Sequence, residues 1–208
     1  MVDALELDRP SAFGHSCGAA ALLLAEQCRP GTFGSLYCFE PILYPAENPP
    51  APTRDGNPLA VGAARRRDVF ASRQAAIDNY SGRPPFDRLD GDVLADYVDN
   101  GFAPDPDGIR LRCRREDEAE VYAHGMAHDA FAHLDRVRCP VVLACGEETD
   151  AVGPAFLALL APRLPRPSVE VFDAMGHFGP LESPAVVARS VVAALDGGRG
   201  RGDDTPTA

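Results

Sequence analysis

The run Val141-Val142-Leu143-Ala144-Cys145 contains no polar side chain. A strand turns successive side chains to opposite faces, so an unbroken apolar run of this length suits a strand covered on both faces. That condition is met in a parallel sheet flanked by helices. Three shorter segments fit beside residues 141–144: residues 11–14, residues 36–39, and residues 169–172, where the interposed Glu170 suits a strand nearer the sheet edge. Helix-like segments alternate with them. Residues 18–29 are rich in Ala and Leu and stop at Pro30-Gly31; residues 153–164 are flanked by prolines. Ser183 and Pro184 supply an N-cap and a first helical residue for a helix running to Leu195, with Val187, Val191 and Leu195 on its buried stripe. This alternation predicts an α/β fold around a mostly parallel sheet of about four strands.

With 208 residues and 45% hydrophobic side chains, the chain has room for one ordinary core plus a modest lobe. The lobe is legible. Residues 45–58 are dense in proline and read as a connection. Residues 59–135 are charged, interrupt the alternation, and read as several short helices with turns at Gly82-Arg83-Pro84-Pro85 and residues 104–108. Arg65-Arg66-Arg67 is read as a solvated helix face. The Gly, Arg and Asp-rich tail from Asp196 is predicted to be disordered.

Charge excludes one class of partner. Acidic residues outnumber basic ones 31 to 20, the net charge is −11, and the chain has no lysine, so nucleic acid is not expected. The longest apolar stretch, residues 19–25, is too short to cross a bilayer, and the N-terminus lacks the basic and apolar regions of a signal peptide, so no membrane partner is expected. The six cysteines form no Cys-x-x-Cys and no metal-ligand spacing, which points to a reducing, cytoplasmic setting without a metal site.

The chemistry is concentrated in Gly14-His15-Ser16-Cys17-Gly18, which joins the first strand to the first helix. A nucleophile raised on so tight a turn needs small residues two positions to either side. The turn exposes the Ser16 hydroxyl at the carboxyl end of the strand. It also points the Cys17 N–H, at the head of a helix, toward any oxygen bound there, while the Cys17 thiol points away. A serine nucleophile needs a base, and His177 lies in Asp173-Ala174-Met175-Gly176-His177, just after the fourth strand. The base needs an orienting carboxylate, and Asp150 follows the third strand in Gly146-Glu147-Glu148-Thr149-Asp150. Glu40, at the end of the second strand, reads by itself as a pocket or hydrogen-bonding residue; Asp173 is too close in sequence to His177 to swing round easily. His124 and His128 read as lid or pocket-lining residues rather than metal ligands, and Glu182 as a prop for the loop behind His177.

These motifs, with Gly176-His177-Phe178-Gly179-Pro180-Leu181-Glu182-Ser183-Pro184, resemble the α/β-hydrolase fold superfamily from residue 1 to about residue 195. The resemblance implies a partial α/β-hydrolase fold. Residues 1–44 carry the nucleophile turn, residues 45–135 form a helical cap over the pocket, residues 136–195 complete the core, and residues 196–208 form the tail. It implies Ser16 as nucleophile, His177 as general base and Asp150 as its orienter, with Glu40 as the alternative acid because some relatives place theirs at that strand end, acting on a small ester or related acyl compound without a cofactor. Hydrolysis of a carbon–carbon bond is the alternative within the same class.

Members of the superfamily place the nucleophile turn after the fifth strand of an eight-stranded sheet, whereas only fifteen residues precede Ser16. The expectation is therefore a late start, with Met1 internal to a longer reading frame and the loop carrying a second oxyanion donor lying upstream. A non-catalytic remnant that pairs through an open edge strand is the rival from another class. The exposed edges also give a homodimer a route to form and leave the oligomeric state open.

Overall fold

The computed structural model describes residues 2–45, 56–125 and 128–199. Along the chain, β1 (Ser11–His15) leads into α1 (Cys17–Cys28) and β2 (Ser35–Phe39). There follow α2 (Pro58–Arg65), β3 (Val69–Phe70), α3 (Arg73–Ser81), α4 (Gly91–Gly101), β4 (Phe102–Asp105), β5 (Gly108–Leu111) and α5 (Arg115–His124). The chain continues with β6 (Val141–Gly146), α6 (Pro154–Leu160), β7 (Pro167–Phe172), the one-turn α7 (Gly179–Glu182) and α8 (Pro184–Arg199). It divides into two compact units, residues 1–46 with 129–208, and residues 47–128.

The first unit holds a four-stranded, wholly parallel sheet in the order β1-β2-β6-β7. All five residues of β2 are buried, and β6 is nearly so, because both faces of these central strands are covered. Leu36, Cys38, Val141, Leu143 and Cys145 pack with Ala19, Ala20 and Leu23 of α1 and Leu157 and Leu160 of α6. The opposite face sets Tyr37, Phe39, Ala144 and Phe172 against Met175 and Val187 of α8. Period-two alternation with apolar side chains on both sides is what left the sequence runs unbroken. The polar interruption in β7 has its own reason: Glu170 accepts hydrogen bonds from Tyr37 and Ser190, tying α8 to the sheet.

Several boundaries differ from the sequence reading: β7 begins at Pro167, α6 ends at Leu160, and the inserted unit is residues 47–128 where 45–135 was expected. β6 extends to Gly146 because Cys145 and Gly146 stay in register with Val171 and Phe172. α8 continues through Gly197-Gly198 to Arg199, so the tail expected from Asp196 begins as helix. The rest of that tail, residues 200–208, and residues 46–55 of the proline-dense connection lie outside the described residues.

The second unit is not purely helical. Between α2, α3, α4 and α5 it carries a three-stranded antiparallel sheet in the order β3-β5-β4. Its core gathers Phe70, Tyr80, Leu94, Val98, Phe102 and Leu111. Asn57, Ser72 and Asp90 cap the first turns of α2, α3 and α4 with their side chains. Arg65 and Arg67 are exposed, but Arg66 is not the solvated residue expected: its guanidinium donates to Glu118, Tyr80 and Tyr97. Among the described residues, no helix is long and apolar enough to cross a membrane.

Candidate active site

The turn between β1 and α1 is steeply bent. Ser16 sits at φ 54° and ψ −119°, a conformation that L side chains rarely adopt and that costs about 1–3 kcal/mol. The elements on either side hold it there: Ser16 N–H donates to the Phe39 carbonyl, and Ala20 N–H of α1 donates to the Ser16 carbonyl. Of the two flanking glycines, only Gly14 is sterically demanded. A Cβ on Gly14 would lie 2.7 Å from the Ala19 nitrogen, whereas one on Gly18 would meet nothing within 4 Å. Cys17 is the first residue of α1, so its N–H belongs to the helix's uncommitted first turn.

His177 follows β7 on a loop whose second residue, Ala174 at φ 56°, is left-handed. The loop is pinned from two sides. Glu182 accepts the Gly176 N–H, as the sequence reading expected of it, and the backbone of Met175 presses on Gly146, where a Cβ would come within 2.1 Å of the Met175 oxygen. The imidazole then reaches two partners. Its Nε2 lies 3.1 Å from Ser16 Oγ, and its Nδ1 lies 2.6 Å from Glu40 Oε2. An ionised carboxylate only accepts, so Nδ1 carries the proton, and Nε2 is left as the acceptor for the Ser16 hydroxyl.

The carboxylate at His177 is thus Glu40, the alternative acid, and not Asp150. Both ring nitrogens are engaged, and Asp150 is exposed four residues beyond the end of β6. The reason lies in the loop that carries Asp150. Gly146 N–H, the Thr149 hydroxyl and Val152 N–H all donate to Glu40, so this loop serves a carboxylate instead of supplying one. Glu40 itself directly follows β2 at φ 45°, and its side chain is fully buried, while that of His177 is 16% exposed. Burial acts to raise the Glu40 carboxyl, but the hydrogen bonds from His177, Thr149 and Gly146 outweigh it and hold the group below its ordinary value.

The remaining candidates lie elsewhere. Asp173 is exposed, and His124 pairs with Glu120 one turn back on α5. Thr149 escaped the sequence reading as a partner of the acid. Glu40 directly follows the apolar run of residues 36–39, which marks a carboxylate that must find donors if it is buried; which loop supplies them is not legible there.

The sequence model of the alpha/beta hydrolase family matches residues 1–190. No curated protein matches the chain. Among solved structures, E-2-(acetamidomethylene)succinate hydrolase is similar at a TM-score of 0.79 and 22% identity, over 94% of this chain and 69% of that one. A peroxisomal alpha-beta-hydrolase from Saccharomyces cerevisiae is similar at 0.78 and 16%, over 94% and 56%. A thermophilic esterase from Thermogutta terrifontis is similar at 0.65 and 18%, over 95% and 68%. Identities this low speak for the fold alone, and the chain spans between 56% and 69% of the length of these structures.

Proposed function

The chain belongs to the alpha/beta hydrolase family, and we propose that it cleaves a small ester or related acyl compound through an acyl-serine intermediate. The observation that carries this reading is the His177 ring, hydrogen-bonded to Ser16 Oγ on one nitrogen and to Glu40 on the other. In this reading Ser16 Oγ attacks the acyl carbon as its proton passes to His177 Nε2. The imidazolium so formed is steadied by Glu40, which keeps Nδ1 protonated and the ring in its orientation. The Cys17 N–H, at the head of α1, stabilises the oxygen that gains negative charge. Collapse expels the alcohol, which takes the Nε2 proton. Water then gives its proton to Nε2 and its oxygen to the acyl carbon, releasing the acid and restoring Ser16.

The inserted unit, residues 47–128, is proposed as the lid that selects the substrate. A cytoplasmic setting belongs to the same reading and is supported by six cysteines that are all free thiols. A fluorophosphonate probe tests the central step, alongside a panel of short-chain esters. Labelling of the native chain at Ser16, abolished in Ser16→Ala together with ester turnover, is the expected result. A folded, monodisperse chain that neither labels nor turns over any ester contradicts it.

A further inference from the structure

The residue before the nucleophile makes a contact that the hydrolytic steps do not use. His15 is the last residue of β1, and its Nε2 lies 2.8 Å from the backbone carbonyl oxygen of His177. A carbonyl only accepts, so His15 Nε2 carries the proton and donates. The two rings lie 4.8 Å apart between centroids, with Phe178 against both and Phe39 against the edge of His15. Two consecutive residues therefore reach one residue more than 160 positions away: Ser16 meets the side chain of His177 and His15 meets its main chain.

We propose that His15 is a positioning residue, fixing the backbone of His177 so that the ring stands at hydrogen-bonding distance from Ser16 and Glu40. The proposal rests on the hydrolytic reading above and goes beyond it. The nucleophile is fixed by its turn, and Glu40 by three donors from the end of β6 and the loop after it. The base rides on a loop pinned at Gly176 by Glu182 and at Met175 by Glu148, and His15 adds the hold on the His177 carbonyl itself. A displacement of about 1 Å in such a group costs on the order of 10²-fold in rate. Anchoring its carbonyl to the strand that bears the nucleophile restrains His177 at the residue itself. The chemistry of His15 suits this task. Burial and the neighbouring His177 ring push it down to about 4, against the opposing pull of its hydrogen bond to the His177 carbonyl and of Glu40, so it donates as a neutral ring. A charged ring there would oppose the imidazolium that His177 must become.

The test compares His15→Gln with His15→Met. The two side chains have the same length, and only the glutamine offers an amide N–H. His15→Met is expected to lower kcat by about 10–100-fold with KM within about twofold, and His15→Gln to recover most of the loss. A second readout needs no turnover. The His177 Nδ1 proton, held by Glu40, is followed by proton NMR and is expected to exchange with solvent about tenfold faster in His15→Met than in the native chain or His15→Gln. If the native chain lacks esterase activity but the difference in Nδ1 proton exchange holds, the hydrolytic reading fails and the positioning of the His177 ring stands. Equal kcat and equal exchange in both variants would overturn it. So would a His15→Met chain that fails to fold while His15→Gln folds, since the contact would then serve stability alone.

Discussion

Two side chains at the site carry opposite charge preferences, and both leave a mark on stability. Glu40 is held below the ordinary carboxyl value of 4.5, so the unfolded chain binds its proton first as the pH falls. The stabilisation it provides is present above about pH 4.5 and is lost below. His15 is lowered from 6.5 to about 4, first by burial and then by His177. Between those values the unfolded chain takes up a proton that the native chain refuses, so native stability declines as pH falls from 6.5 to 4. Melting temperatures across that range are expected to fall more steeply for the native chain than for His15→Gln, which lacks the titrating ring. Parallel curves would show that His15 titrates normally in the folded state. Residue identity at the site was only partly legible in the sequence. The Gly-x-Ser-x-Gly spacing pointed to Ser16, and the Gly-His after a strand pointed to His177. The choice between Asp150 and Glu40 depended on where the loop after β6 sends its donors, which no spacing records.

At the scale of elements, the bend between β1 and α1 puts its two glycines to different use. Gly14 lies where α1 crosses back over the strand, and a methyl group there would collide with the Ala19 backbone at 2.7 Å. Gly18 faces open space on the first turn of the helix. Gly14→Ala is therefore expected to destabilise the chain by about 1–3 kcal/mol. Gly18→Ala is expected to be neutral or to stabilise it by up to about 1 kcal/mol through helix propensity. Denaturant melts of the two variants check this; equal losses would mean that both positions are closed to a side chain. The sequence argument for small residues on both sides treated the turn as symmetric, whereas the approach of α1 is one-sided. Strands read more reliably than turns. β2 and β6 were visible because burial on both faces leaves an apolar run. β4 and β5 were not, since Pro104, Asp105 and Arg110 interrupt short strands that bury only part of one face.

At the scale of the whole molecule, each unit has its own core and its own polar anchor. In residues 47–128 that anchor is Arg66, which joins Glu118 of α5 to Tyr80 of α3 and Tyr97 of α4. Its guanidinium and the Glu118 carboxylate are each about one-fifth exposed, so removing Arg66 strands a largely desolvated charge. Arg66→Met is expected to cost about 2–4 kcal/mol, with amide hydrogen exchange quickening in residues 56–125. Unchanged exchange there would show that the aromatic cluster alone holds the unit. In the other unit, residues far apart in sequence converge on one imidazole, and the carboxylate that meets it is the point most open to direct test. The decisive measurement is kcat for the ester best turned over by the native chain, taken for Glu40→Gln and Asp150→Asn side by side. With Glu40 holding His177, Glu40→Gln loses about 10³–10⁴-fold and Asp150→Asn stays within about twofold. A large loss in Asp150→Asn with Glu40→Gln near the native rate would contradict the arrangement.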